Sequence, residues 1–104
     1  KADPGTPVSV PAAAEVTEVG YDRYNGNFIR FIDAHGIEWT YSHLDKVGVQ
    51  RGDRIASGVV IGATGQTGRV SGPHLHVQAK LVKTGKTIDP APLFAMYMEK
   101  KKRK

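Results

Sequence analysis

Two histidines separated by a single leucine, His74 and His76, are the strongest chemical signal in this sequence of 104 residues. Alternate residues of an extended strand lie on the same side of it, so this spacing predicts that the two imidazoles project together. Such a pair can present nitrogen atoms to one metal ion and to a substrate beside it. Because an exposed strand can carry two histidines by chance, the pair needs support from its surroundings.

A segment punctuated by glycines leads into the histidine pair. Residues 62–71 read Gly-Ala-Thr-Gly-Gln-Thr-Gly-Arg-Val-Ser, a pattern that excludes a helix. Glycine adopts backbone conformations that other residues avoid, so we expect tight turns here that position the strand beginning at His74. The alternative is that these glycines serve only the geometry of a loop.

Composition predicts a single domain made mostly of β-strands. A chain of 104 residues suits one hydrophobic core. Its 12 glycines and 6 prolines are spread along the sequence, which is typical of short strands joined by turns, and 39% hydrophobic residues argue against disorder. Without cysteine, a metal would have to be held by histidine and carboxylate. No stretch is long and apolar enough to predict a transmembrane segment.

The alternation of polar and apolar residues predicts a mostly β fold with hairpins and a short C-terminal helix. Strands are expected at 15–19, 28–33, 37–44, 59–62, 74–82 and 87–88, with an extended entry at 5–11 and a loop and short strand over 47–55. The Asn25-Gly26 pair is typical of a hairpin tip. Asp89 and the prolines after it predict the start of a helix that includes 93–98.

Nearly all of the net charge of +5 comes from the C-terminal end. Residues 1–98 carry ten Lys and Arg against nine Asp and Glu, whereas 99–104 carry five bases and one acid. We therefore expect a nearly neutral domain over 1–98 and a basic tail. The tail is interpreted first as a solvated end, and second as a contact for an anionic polymer such as nucleic acid, anionic lipid or the bacterial wall. A nucleic-acid-binding domain is disfavoured, because its basic residues would have to lie on a folded face.

A series of short motifs runs along almost the whole chain, from Gly5 to Pro90. They are Gly5-Thr6-Pro7-Val8, Tyr41-Ser42-His43-Leu44, Gly52-Asp53-Arg54-Ile55, Gly58 to Gly62, Gly65-Gln66-Thr67-Gly68, Gly72-Pro73-His74-Leu75-His76 and Ile88-Asp89-Pro90. Their order and spacing resemble those of the lysostaphin/LytM-type zinc endopeptidases. The resemblance implies an antiparallel β-sheet or β-sandwich-like fold, with a groove that cuts peptide cross-links of bacterial peptidoglycan. It also implies a location at the bacterial cell envelope, in the periplasm or outside the cell.

The same resemblance implies roles for four residues. His76 looks like a zinc ligand, His74 and His43 look like the two catalytic histidines, and Tyr41 is expected to line the substrate groove. A catalytic zinc keeps an open position for water and lowers the pKa of that water to about 7, so a nearby imidazole can accept its proton. His74 would be this general base, and His43 would stabilise the oxyanion that develops. Tyr41 lies two residues before His43, which in a regular strand puts both on one face.

The metal site implied by the resemblance is incomplete in this sequence. The family pattern also has a histidine and an aspartate in a segment before the Gly-Thr-Pro-Val motif, but no histidine precedes His35 here. By register the aspartate would fall before Lys1, and Asp3 is too close to Gly5 to take its place. Since the chain starts with lysine and not methionine, we expect a processed or truncated product that is inactive by itself.

Three hypotheses for function remain open on the sequence. In the first, the complete protein is a zinc-dependent peptidoglycan endopeptidase, and a segment upstream of this chain supplies the other ligands. In the second, the domain is a non-catalytic LytM-like module that binds wall peptides or regulates a partner hydrolase. In the third, it is the wall-degrading module of a phage particle. Retention of His43, His74 and His76 favours an enzyme, because binding alone has no chemical need for all three.

Two further residues are given structural interpretations. His35 lies in an Ala-His-Gly turn and matches no functional position, so we expect it to be exposed to solvent. Trp39 lies within an aromatic strand, and we expect it to pack in the core instead of stacking on a substrate.

Overall fold

A computed structural model describes residues 5–65 and 76–90, and within these ranges the chain forms eight β-strands. They are β1 (Pro7–Ser9), β2 (Ala14–Asp22), β3 (Gly26–Asp33), β4 (Ile37–Val47), β5 (Arg54–Ile55), β6 (Val60–Thr64), β7 (His76–Leu81) and β8 (Thr87–Ile88). All pairings between them are antiparallel. The predicted β fold is therefore confirmed, while the helix predicted over 93–98 lies outside the described residues.

The strands form one curled sheet in the order β1-β6-β4-β3-β2-β5, and β7 pairs with β4 and carries β8. The longest strand, β4, has 11 residues and lies at the centre of the sheet. It is rich in aromatic and β-branched residues, which pack well on a pleated surface.

The hairpin between β2 and β3 turns over residues 23–25, where the Asn-Gly pair predicts it. Asp22 pairs with Gly26, whose φ of 65° is a left-handed conformation that glycine adopts without steric cost. The Asp22 carboxylate accepts hydrogen bonds from the backbone N–H groups of Tyr24 (2.9 Å) and Asn25 (2.6 Å). These bonds close the turn from inside, as short acidic side chains commonly do.

A buried carboxylate organises the hairpin between β3 and β4. Asp33 is 5% exposed and accepts hydrogen bonds from the backbone N–H groups of His35 (2.8 Å) and Ile37 (3.1 Å). Its other oxygen accepts from the indole N–H of Trp39 at 2.9 Å. One side chain thus fixes both the turn and the rotamer of the largest core residue.

The core lies on one face of the sheet and is centred on three aromatic rings. Phe31 stacks near Trp39, with centroids 6.3 Å apart, and meets Tyr41 edge to face at 5.1 Å. Such pairs stabilise a fold beyond the area they bury. The surrounding buried side chains are Val8, Val10, Ala12, Val16, Ile29, Ile37, Leu44, Ile61 and Ala79.

Candidate functional site

The central strand β4 changes its hydrogen-bonding partner at His43. Residues 37–42 pair with β7, and Ser42 pairs with His76. Leu44, Lys46 and Val47 pair instead with β6. On this edge of β4, His43 is therefore the junction between two neighbouring strands, which we call the fork.

The opposite edge of β4 is also irregular at His43. There Tyr41 pairs with Ile29 and Leu44 pairs with Asn27, so two residues of β4 oppose one residue of β3. This arrangement is a β-bulge, a feature that bends a strand and redirects a side chain. His43 has a φ of 62°, the only positive φ of a non-glycine residue in the described ranges. This left-handed conformation costs about 1–2 kcal/mol for a residue with a Cβ, so the surrounding structure must hold it.

Backbone hydrogen bonds hold His43 from both sides. Its N–H donates to the carbonyl of Asn25 at 2.7 Å, and its carbonyl accepts from the N–H of Gly65 at 3.1 Å. The residue is 7% exposed. His43 is thus a nearly buried imidazole on a backbone that is fixed by the β2–β3 turn and by the end of β6.

The β2–β3 turn that contacts His43 is itself braced. Asn25 donates from its side-chain amide to the other carboxylate oxygen of Asp22 at 3.0 Å, and its own amide oxygen accepts from the hydroxyl of Ser42 at 3.2 Å. The backbone N–H of Asn25, and next its side-chain amide, hold the pKa of Asp22 below its ordinary value of 3.8. Asp22 and Asn25, which we call the bracket, therefore fix the turn whose Asn25 carbonyl accepts the hydrogen bond from His43.

Glycine lets β6 approach β4 beside the fork. A Cβ on Gly65 would lie 2.5 Å from the Cβ of Asp45, and one on Gly62 would lie 2.5 Å from the carbonyl oxygen of Lys46. Neither distance is compatible with van der Waals contact, so both positions need glycine for close backbone approach. The sequence pattern predicts tight turns at these glycines, but in the structure these two positions allow close packing of strands.

Both ends of segment 66–75 are attached at the fork. Gly65, which precedes the segment, is hydrogen-bonded to His43, and His76, which follows it, pairs with Ser42. His74 lies within the segment and outside the described residues, but it is two residues from His76 in the sequence. Two of the predicted site residues, His43 and His76, therefore occupy adjacent strands at the same point of the sheet.

Tyr41 has a packing position. It is 1% exposed, and its hydroxyl donates to the carbonyl of Ser9 at 2.9 Å. Burial raises the pKa of Tyr41 above its ordinary value. The bulge interrupts the regular alternation on which the predicted common face of Tyr41 and His43 depends, and Tyr41 and Leu44 both enter the core. Any contact between Tyr41 and a substrate stays a prediction.

The two structural interpretations from the sequence are confirmed. His35 is exposed in the turn after β3. Trp39 is completely buried and bound to Asp33. His35 therefore serves as an internal reference, a histidine of this chain that lies outside the fork.

The described residues do not by themselves form a metal site. Within 5–65 and 76–90, no three His, Asp or Glu side chains come together in a way that could hold an ion. A site that includes His76 would need further ligands from outside these ranges, since structural and catalytic zinc ions take at least three protein ligands.

The site residues predicted from the sequence do not include Asn25, Asp22 or Gly65. Asp22 and Asn25 follow the ordinary pattern of a hairpin turn, and the contact of Asn25 with His43 depends on pairing between β3 and β4. Their only local signal is an aspartate three residues before an Asn-Gly pair.

Comparison with known proteins gives a consistent result. The family model described as Peptidase family M23 matches residues 1–90. The chain is 40% identical over 77 residues to glycyl-glycine endopeptidase ALE-1 of Staphylococcus capitis, covering 71% of this chain and 21% of that protein. It is 36% identical over 74 residues to peptidoglycan DD-endopeptidase ShyC of Vibrio cholerae, covering 71% and 17%. The chain thus spans about a fifth of the length of these relatives.

Solved structures agree with the sequence matches. The catalytic domain of lysostaphin from Staphylococcus simulans superposes with a TM-score of 0.81 at 33% identity, covering 90% of this chain and 74% of that one. A zinc-containing peptidase from Vibrio cholerae superposes with a TM-score of 0.76 at 32% identity, covering 82% of this chain and 26% of that one.

Among the residues that the structure describes, no helix has the length and apolar character needed to cross a membrane.

Proposed function

This chain belongs to Peptidase family M23, and from this premise we propose that it is the core of a zinc-dependent endopeptidase. The proposed enzyme cleaves peptide cross-links of bacterial peptidoglycan. The relatives support the substrate class, since one is a glycyl-glycine endopeptidase and another a peptidoglycan DD-endopeptidase. The peptidase from Vibrio cholerae, which contains zinc, supports the metal. In this proposal residues 1–98 form one peptidase domain and 99–104 form a basic tail.

The observation that carries the proposal is the fork at His43. A left-handed histidine that is held by Asn25 and Gly65 has a defined position before substrate arrives. Polar groups fixed in advance stabilise developing charge better than mobile ones, because they need no reorganisation during the reaction. We assign to His43 the stabilisation of the oxyanion that forms at the scissile carbonyl.

The remaining roles belong to the two histidines around β7. His74 is proposed to accept the proton of the attacking water, and His76 is proposed to hold zinc. Zinc, when bound, supplies Lewis-acid activation of water and of the scissile carbonyl. The other metal ligands come from outside the described residues, and we propose a histidine and an aspartate that precede Lys1 in the complete protein.

Substitution of single histidines in the complete protein tests these roles. We expect His76→Ala to lose zinc and activity, and His74→Ala to keep zinc but lose hydrolysis of purified peptidoglycan. His35→Ala is the matched control, because it removes an exposed histidine outside the fork, and it should keep both properties. Metal analysis and release of cross-linked peptides are the two measurements.

Each outcome bears on a different hypothesis. Equal zinc content in wild type and His76→Ala contradicts the ligand assignment, and full hydrolysis by His74→Ala contradicts the base. Binding to peptidoglycan without any hydrolysis by the wild type favours a non-catalytic module that binds the wall or regulates a partner hydrolase. The proposed location is the cell envelope, periplasmic or secreted; recovery of the protein with purified phage particles would indicate the virion instead.

A further inference from the structure

A polar depression lies on the face of the sheet opposite the core. It has a volume of about 300 Å³ and is lined by Arg30, Glu38, Thr40, Gln78 and Lys80. These residues alternate with core residues along β3, β4 and β7, as strand geometry requires. We call this depression the polar trough.

The polar trough continues from the fork. Thr40 pairs with Gln78, and two residues further along the same strands Ser42 pairs with His76. A strand rises by about 3.3 Å per residue, so the two pairs are separated by about 7 Å. That distance matches the length of two residues of an extended peptide. A peptide whose scissile bond lies at the fork can therefore place the residue about two positions away over the trough.

Each of the two cations in the lining of the trough lies beside a carboxylate, Glu38 near Lys80 and Glu18 near Arg30. Arg30 and Lys80 contribute two positive charges, and Glu38 contributes one negative charge. Lys80 lies 3.5 Å from Glu38, and its side chain remains 44% exposed. Because this pair is open to solvent, the ammonium can also reach a group that enters the trough.

Three contacts hold the guanidinium of Arg30 in place. Its guanidinium forms an ion pair with Glu18 at 2.5 Å and donates to the hydroxyl of Thr40 at 3.1 Å. The guanidinium also lies 5.1 Å from the centre of the Phe28 ring, within cation–π distance. Arginine has five N–H donors in a fixed plane, so these contacts orient it and leave further donors available.

We propose that the polar trough binds a carboxylate of the substrate peptide, on a residue about two positions from the scissile bond. Arg30 and Lys80 bind the carboxylate from two sides, and the exposed amide of Gln78 contacts the peptide backbone. This inference rests on the proposed function, because it takes the fork as the place of cleavage.

A comparison of charged and neutral forms of one substrate tests the proposal. Isolated cross-linked wall peptides are used as prepared, and again after carbodiimide coupling with ammonia has converted their carboxylates to amides. Cleavage of both forms is measured for the complete wild-type protein and for Lys80→Gln. Lys83→Gln is the matched control, since it removes the same charge from the exposed turn after β7.

The expected result is a change in KM that depends on the substrate's charge. Lys80→Gln should raise KM for the unmodified peptides about threefold to fivefold, which is the upper part of the range for the loss of one partly exposed charged contact, and leave kcat unchanged. It should change KM for the amidated peptides by less than about twofold. Lys83→Gln should behave as the wild type. Equal effects of Lys80→Gln on both peptide forms, or no effect, overturn the proposal.

Binding measurements separate this proposal from the proposed function. In calorimetry, His74→Ala should bind the unmodified peptides more tightly than the amidated peptides. Adding Lys80→Gln to this variant should remove the difference in affinity between the two peptide forms. If the wild type cleaves neither form but binding keeps this dependence on charge, the endopeptidase hypothesis fails and the trough stands. If binding ignores the carboxylate, the trough proposal fails even where cleavage is observed.

Discussion

Adding one methyl group at Gly62 is expected to separate β6 from β4 next to the fork. A Cβ at this position lies 2.5 Å from the carbonyl oxygen of Lys46, which is 0.9 Å short of the 3.4 Å where ordinary contact begins. The oxygen belongs to the backbone of the central strand, so it cannot rotate out of the way. Overpacking of this kind costs about 1–3 kcal/mol. For a domain of this size each kcal/mol lowers the melting temperature by about 4–8 °C.

Gly48 provides a control for the same chemical change. A Cβ on Gly48 would lie 3.5 Å from the carbonyl oxygen of Ile61, an ordinary van der Waals contact. Thermal unfolding followed by circular dichroism should therefore place Gly62→Ala at least about 4 °C below Gly48→Ala. If the two variants melt at the same temperature, the close approach of β6 and β4 does not limit stability, and the reasoning is refuted.

Two further predictions concern His43 and its bracket. His43→Gly should be more stable than His43→Ala by about 1 kcal/mol, since glycine accepts the left-handed φ of 62° and alanine does not; urea midpoints measure this, and a more stable alanine variant would contradict it. The folded-state pKa of Asp22 lies below 3.8, so its carboxylate stabilises the fold above that pH and the contribution is lost as pH falls through the folded-state value. Asp22→Asn should accordingly lose less stability than the wild type between neutral and acidic pH. Free energies of unfolding in urea that fall by the same amount in both proteins would rule this out.

Local sequence patterns determine much of this fold. The apolar alternation of β2 and β3, the aromatic content of β4 and the Asn-Gly pair act through neighbouring residues, so the strands and the first hairpin follow from the sequence. Trp39 is predicted in the core for the same reason, and the exposure of His35 follows from its turn. The family resemblance is borne out by the match to Peptidase family M23.

The geometry at the fork could not be predicted in this way. Tyr41-Ser42-His43-Leu44 looks like an uninterrupted strand, yet His43 takes a left-handed conformation. Its conformation is fixed by Asn25 and Gly65, which are distant in the sequence and lie next to His43 because β3 and β6 pair with β4. A bulge that depends on partners on both sides leaves no signal in the residue that carries it.

The fork also determines where segment 66–75 joins the sheet. The residues that flank segment 66–75 are attached to consecutive residues of β4, because the N–H of Gly65 donates to the carbonyl of His43 and His76 pairs with Ser42. The register of the flanking strands is set by pairs outside this segment, since Ser42 pairs with His76 and Leu44 pairs with Thr64. One strand, β4, is thus the common reference for His43 and for the two flanks of the segment that contains His74.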